Sequence, residues 1–90
     1  MAKEVIYKYK LPIQDISVVS MPRGAKVLSV ENQYGDICIW ALVTDTNEKE
    51  NRTFEIVGTG NPMPPNRLRV FIGTTHIPPF VWHIFEILSK

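Results

Sequence analysis

Short apolar or alternating runs, each cut off by turn-forming residues, recur along the whole of this chain, and that rhythm points to a meandering β fold. Val5, Tyr7, Tyr9 and Leu11 share one face of a first strand, Lys8 and Lys10 take the other, and Pro12 ends it. Ile16 to Met21 is a β-branched run closed by Pro22-Arg23-Gly24. Ala25 to Asn32 forms a third strand, followed by Gln33-Tyr34-Gly35-Asp36, a hairpin turn in which Gly35 is free to take a positive φ.

The run from Ile37 to Val43 is apolar on both faces, with Ile37, Ile39, Ala41 and Val43 on one and Cys38, Trp40 and Leu42 on the other. A strand of that kind is expected to be central and covered on both sides. Asp45 to Asn51 reads as a polar loop, the most permissive place for an insertion or a proteolytic nick. Arg52 to Val57 alternates with Phe54 and Ile56 inward, and the three prolines of Gly58 to Asn66 exclude regular structure there. Alternation returns at Leu68, Val70 and Ile72, and Gly73 to Pro79 leads into a last run, Phe80 to Leu88. Phe80, Ile84, Ile87 and Leu88 would make a helical stripe, whereas Phe80, Trp82 and Ile84 would make a strand face. Aromatic and β-branched richness, with Pro78-Pro79 as a turn, tilts this run to strand. The expected architecture is all-β: a compact antiparallel sandwich or partly open barrel of six or seven short strands, in one domain over residues 1–90.

Ninety residues hold one core, and a thin one. Ten Lys and Arg against nine Asp and Glu leave a net charge of +1, far from the basic surplus of a dedicated nucleic-acid binder, so no nucleic-acid partner is expected. A single cysteine, Cys38, excludes an internal disulfide and favours a reducing, cytoplasmic setting. The first residues lack the apolar stretch of a signal peptide, and no apolar run approaches the ~20 residues of a membrane span. Asn51-Arg52-Thr53 matches a glycosylation acceptor that has no meaning without secretion.

Three stretches, Tyr34 to Val43, Arg52 to Pro62 and Phe80 to Glu86, together with Ile6-Tyr7-Lys8-Tyr9, carry a likeness that covers most of the chain in order. On them the sequence resembles a family of small phage and prophage proteins classed as a domain of unknown function. The resemblance implies a phage or bacterial origin and life inside a bacterial host cell. It implies no chemistry.

Reactive groups are few. Gly58-Thr59-Gly60 is followed by Asn61-Pro62 rather than the continuation of a phosphate-binding loop, so it reads as a turn out of a strand. His76 and His83 have no ligand partners at metal-binding spacing, so no metal and no cofactor is expected. Cys38 sits mid-strand in the most apolar run, where a free thiol usually packs. On a strand, His83 and Glu86 point to opposite sides. An unrecognised enzyme would have only His76, His83 and Cys38 to work with.

Binding is the richer possibility. Aromatic side chains that stack on rings, beside cations that meet phosphate, suit a small nucleotide-like ligand. On that logic the candidate ligand-binding residues are Tyr7, Tyr9, Arg67, Arg69, His76, Trp82 and His83. The competing expectation is that so small a domain needs most of its aromatics inside. Open sheet edges must also be protected, and a homo-oligomer is one way to cover them. The leading functional expectation is a non-enzymatic accessory protein that binds a host protein or its own copies. The alternative is a protein that sequesters a small phosphorylated ligand such as a signalling nucleotide.

Overall fold

The computed structural model describes residues 2–88. Seven strands follow one another: β1 (Glu4–Leu11), β2 (Ile16–Pro22), β3 (Lys26–Gln33), β4 (Asp36–Thr44), β5 (Lys49–Gly58), β6 (Arg69–Ile77) and β7 (Phe80–Ile87). All pairings are antiparallel, and they divide the strands into a three-stranded sheet ordered β1-β4-β3 and a four-stranded sheet ordered β2-β5-β7-β6. The all-β expectation holds, as a sandwich rather than a closed barrel. No helix is present among the described residues, and hence none long and apolar enough to cross a membrane.

The period-two pattern produces the core directly. Register places Leu11 opposite Ile37, Tyr9 opposite Ile39 and Val5 opposite Val43, so one face of β1 and β4 turns inward. From the second sheet come Met21, Phe54, Ile56 and Ile84, and these side chains with Leu11, Ile37, Ile39, Ala41 and Val43 are buried together. At one margin the two sheets meet. A Cβ on Gly73 of β6 would lie 2.6 Å from Val30 Cγ1 of β3, so only a bare Cα allows that approach. Asn32 Nδ2 donates to the His76 carbonyl at 3.1 Å across the same seam. At the other margin β1 and β2 are edge strands, each paired on one side only.

The β3–β4 hairpin turns on Tyr34 (φ 54°) and Gly35 (φ 87°), the pair of positive φ values that a two-residue turn needs to match strand twist. Pro78-Pro79, with a cis bond between them, is the whole of the β6–β7 turn. The last run is a strand, because its backbone pairs with β5 on one side and β6 on the other.

Four local expectations need correcting. The second face of β4 is not covered by another layer: Trp40 and Leu42 are half-buried, and Cys38 is shielded between Lys10 and Glu31 of the flanking strands. Lys49, Glu50 and Asn51 belong to β5 rather than to a polar loop, since a backbone ladder with β2 does not require apolar side chains. The loop that remains, Asp45 to Glu48, is tied down: Lys3 N donates to Asp45 Oδ1 (3.0 Å), Asn47 Nδ2 to the Arg23 carbonyl (2.9 Å), and Arg23 N to the Glu48 carbonyl (2.7 Å). Finally, Leu68 precedes β6, and Gly73 to Ile77 continue it, because a bulge between Phe71 and Gly73 shifts the register and breaks the visible alternation.

Candidate functional site

Arg67 and Arg69 do not form a free cationic pair. Glu55 of β5 faces away from the core yet is only 1% exposed, because the loop between β5 and β6 folds over it. Arg67 Nη1 donates to Glu55 Oε2 at 2.5 Å and Arg69 Nε to Oε1 at 2.8 Å, while Arg69 Nη2 reaches the Pro64 carbonyl at 2.8 Å. The Arg69 guanidinium also lies 5.8 Å from the centre of the Phe85 ring. Arg69 is therefore a structural clamp on the loop. Arg67, with one nitrogen on Glu55 and a third of its side chain exposed, keeps donors to offer.

A second ion pair closes the far end of the core. Arg52 grips Glu86 through Nε and, at 3.0 Å, through Nη2, and donates from Nη1 to the Ala25 carbonyl at 2.8 Å. Its hydrogen bond to Glu86 outweighs the burial that would lower its pKa and holds the guanidinium above its ordinary value.

The other candidate residues are scattered. Tyr7 and Tyr9 lie on the inward face of β1, in the opposite sheet from Trp82. His76 and His83 lie on the outer face of β6 and β7. His83 is held at both ring nitrogens, Nε2 to Thr59 Oγ1 at 2.7 Å and Nδ1 to Thr74 Oγ1 at 3.0 Å. Glu86 points to the opposite side of β7, as strand geometry requires. Cys38 is on the outer face of the other sheet, so the core separates it from both histidines and the three do not converge. Among the described residues no group of three His, Cys, Asp or Glu side chains is arranged to hold a metal.

What the fold does bring together is a row of three adjoining clefts at the end of the four-stranded sheet where β5 finishes and β7 starts. The first, about 350 Å³, is lined by the Gly58–Asn61 turn and by Pro79, Phe80 and Trp82. The second, about 200 Å³, adds Gln14 and Asp15 from the β1–β2 connection. The third, about 310 Å³, runs past Asp15, Pro62 and Pro64 to Arg67. Asn61 lines all three.

Local chemistry builds this arrangement. Gly60 takes φ +88° at the third position of a turn closed by Asn61 N donating to the Gly58 carbonyl at 3.0 Å, which delivers Asn61 back over the strand end. A Cβ on Gly58 would lie 2.9 Å from Asn61 Nδ2 and 3.1 Å from Trp82 Cζ3, so the bare Cα is what lets the amide and the indole share that space. Phe80 packs against Trp82 with ring centres 5.6 Å apart and is itself 58% exposed. Trp82 Nε1 is buried with no acceptor among the described residues, an uncommon state that an ordered water or a ligand would relieve. Of the seven candidates, then, Trp82 and Arg67 border the clefts, and His83 touches their rim through Thr59. Asn61 and Asp15 carry no signal of a site in the sequence, although the Gly-Thr-Gly-Asn-Pro turn is legible there.

A second surface stands out on the opposite side of the molecule. On the outer face of β1-β4-β3, Ile6 pairs with Leu42, and Lys8 and Ser29 flank Trp40. Ile6 and Leu28 are exposed, so an apolar stripe runs along β4 with charges at its margins.

No curated protein and no solved structure matches the chain. One family model does, over residues 2–89, and its description is "Domain of unknown function (DUF7352)". Matched over nearly its full length, this protein belongs to the DUF7352 family of domains of unknown function.

Proposed function

We propose that this domain is a non-enzymatic binding protein that acts by association through the outer face of β1-β4-β3, and that a second copy of the chain is the partner. The observation that carries the reading is the charge pattern around the apolar stripe. Lys10 and Glu31 flank Cys38 in register from opposite sides, and Lys26 and Ile6 likewise flank Leu42. In a two-fold interface every contact occurs twice. With the axis running along β4, Trp40 and Leu42 lie over their own copies, and Lys10 of each subunit lies over the partner's Glu31. Glu31 has no ion-pair partner within the described residues, and Lys10 has only a loose one, Asp36 at 3.5 Å. The stripe is thus self-complementary in apolar content at Trp40 and Leu42, and in sign where Lys10 meets Glu31.

As a phage- or prophage-encoded accessory protein, the domain would work in the cytoplasm of a bacterial host, where a host protein with a similar apolar and mixed-charge surface is the rival occupant. Sedimentation equilibrium over a range of concentrations tests the proposal. A dimer is expected for the wild type, with Leu42→Glu, which sets two carboxylates over each other, and Lys10→Glu shifting it to monomer and the double swap Lys10→Glu/Glu31→Lys restoring it. A monomer at every concentration up to several hundred micromolar, or a dimer indifferent to all these changes, overturns it.

A further inference from the structure

The cleft row around Asn61 lies on the other sheet, at a distance from the proposed association face, and its chemistry is ordered along its length. At one end are two aromatic rings, Phe80 and Trp82, of which Phe80 is largely exposed. In the middle stands the Asn61 side-chain amide, which makes no hydrogen bond within the described residues and is held over Gly58 by the turn. On the facing wall is Asp15, whose backbone carbonyl accepts from Ile56 N at 3.1 Å while its carboxylate has no partner among the described residues. At the far end is Arg67, with donors left over from its single contact to Glu55.

We infer that this cleft is a binding site for an adenine nucleoside or nucleotide, the base stacking at Phe80 and Trp82, its edge read by Asn61, the ribose hydroxyls taken by Asp15 and a phosphate by Arg67. Each assignment follows from ligand chemistry. An aromatic platform accepts any flat heterocycle. A carboxamide presents one donor and one acceptor side by side, which matches the N6 donor and N7 acceptor of adenine, whereas guanine offers two acceptors on that edge and calls for a cation. A free carboxylate accepts from two adjacent hydroxyls at once. The clefts adjoin through shared walls, Gly58, Asn61 and Trp82 between the first two and Asp15, Ile56 and Asn61 between the second and third. Together they have the extent of a pocket for a small ligand.

The two tryptophans, Trp40 and Trp82, lie in different sheets, so a Trp40→Phe background isolates the fluorescence of Trp82. In that background, titration with adenosine and AMP is expected to quench Trp82 saturably, with AMP tighter than adenosine. Guanosine should bind at least tenfold more weakly. Asn61→Ala and Phe80→Ala, both changes at exposed positions, should weaken adenosine at least tenfold with the thermal melting curve unchanged. Arg67→Ala should remove the advantage of AMP while leaving adenosine. Absence of saturable quenching by adenosine and AMP up to millimolar concentration overturns the inference, as does equal affinity for guanosine. Binding of ribose 5-phosphate as tight as AMP would also overturn it, since the base would then contribute nothing. The dimer equilibrium is read independently, so the two proposals fail separately.

Discussion

At the scale of single residues, positions without a side chain decide as much as those with one. Gly73 lets β6 approach β3 at the seam between the sheets, and a methyl there would overlap Val30 Cγ1 at 2.6 Å. Gly73→Ala is therefore expected to destabilise the domain by about 1–3 kcal/mol, the usual penalty of overpacking. In a Val30→Ala background the same change should be cheaper by about 1 kcal/mol or more, a coupling that a double-mutant cycle in urea would measure. Tyr9 offers a test in pH. Burial raises its phenol above the ordinary value of 10.0, and Tyr7 beside it pushes the same way. The folded chain then keeps a proton that the unfolded chain sheds, so stability is complete below pH 10 and falls as pH rises through the raised pKa. Tyr9→Phe should flatten that alkaline fall when the urea midpoint is followed against pH.

At the scale of elements, the two open edges differ in protection. β1 carries Lys8 and Lys10, charges of the kind that discourage edge-to-edge pairing. From Ile16 to Met21, β2 has no charge at all, and Val18 on its outer face is 60% exposed. Val18→Lys is expected to leave the melting temperature within about 2 °C, as exposed substitutions usually do, while reducing aggregation on heating as followed by light scattering. Elements also mark how far sequence patterns reach. The clean alternation of β1 and the Tyr34-Gly35 turn were readable because period and turn chemistry are local. The bulge in β6 was not, because an extra residue resets the alternation and makes Gly73 to Ile77 resemble a loop. The Glu55 cluster escaped for a different reason: its two arginines sit 12 and 14 residues away, and only the folding of the proline-rich loop over β5 brings them to the carboxylate.

At the scale of the whole molecule, the chain is a slab of 46 × 32 × 16 Å with a radius of gyration of 13.4 Å, against about 12 Å for a compact domain of this length. Its accessible surface is 5872 Å², whereas about 5400 Å² is typical for a 10.3 kDa monomer. A single thin core carries such a molecule, so loss of one central side chain weighs heavily. Phe54 is fully buried between the sheets, and Phe54→Ala should cost about 3–5 kcal/mol. A ninety-residue domain has a total of about 5–13 kcal/mol, so this one change is expected to remove about a quarter or more of it, read as a large drop in the urea midpoint at 25 °C. The excess surface also fits the proposed pairing through the stripe along β4.

By itself the sequence determined the number and order of the strands and most of their inward faces, because alternation, turn residues and an uninterrupted apolar run are preferences that act between neighbours along the chain; the start of β5 and the second half of β6 lay outside that reach. Tertiary structure decided everything that depends on what lies across a sheet or beneath a loop. It left the second face of Ile37 to Val43 as an open stripe rather than a second core. It turned Arg69 from a ligand-binding candidate into a clamp on Glu55. And it set Asn61 between Trp82 and Arg67, residues 21 and 6 positions from it, where chain spacing carries no information about distance in space.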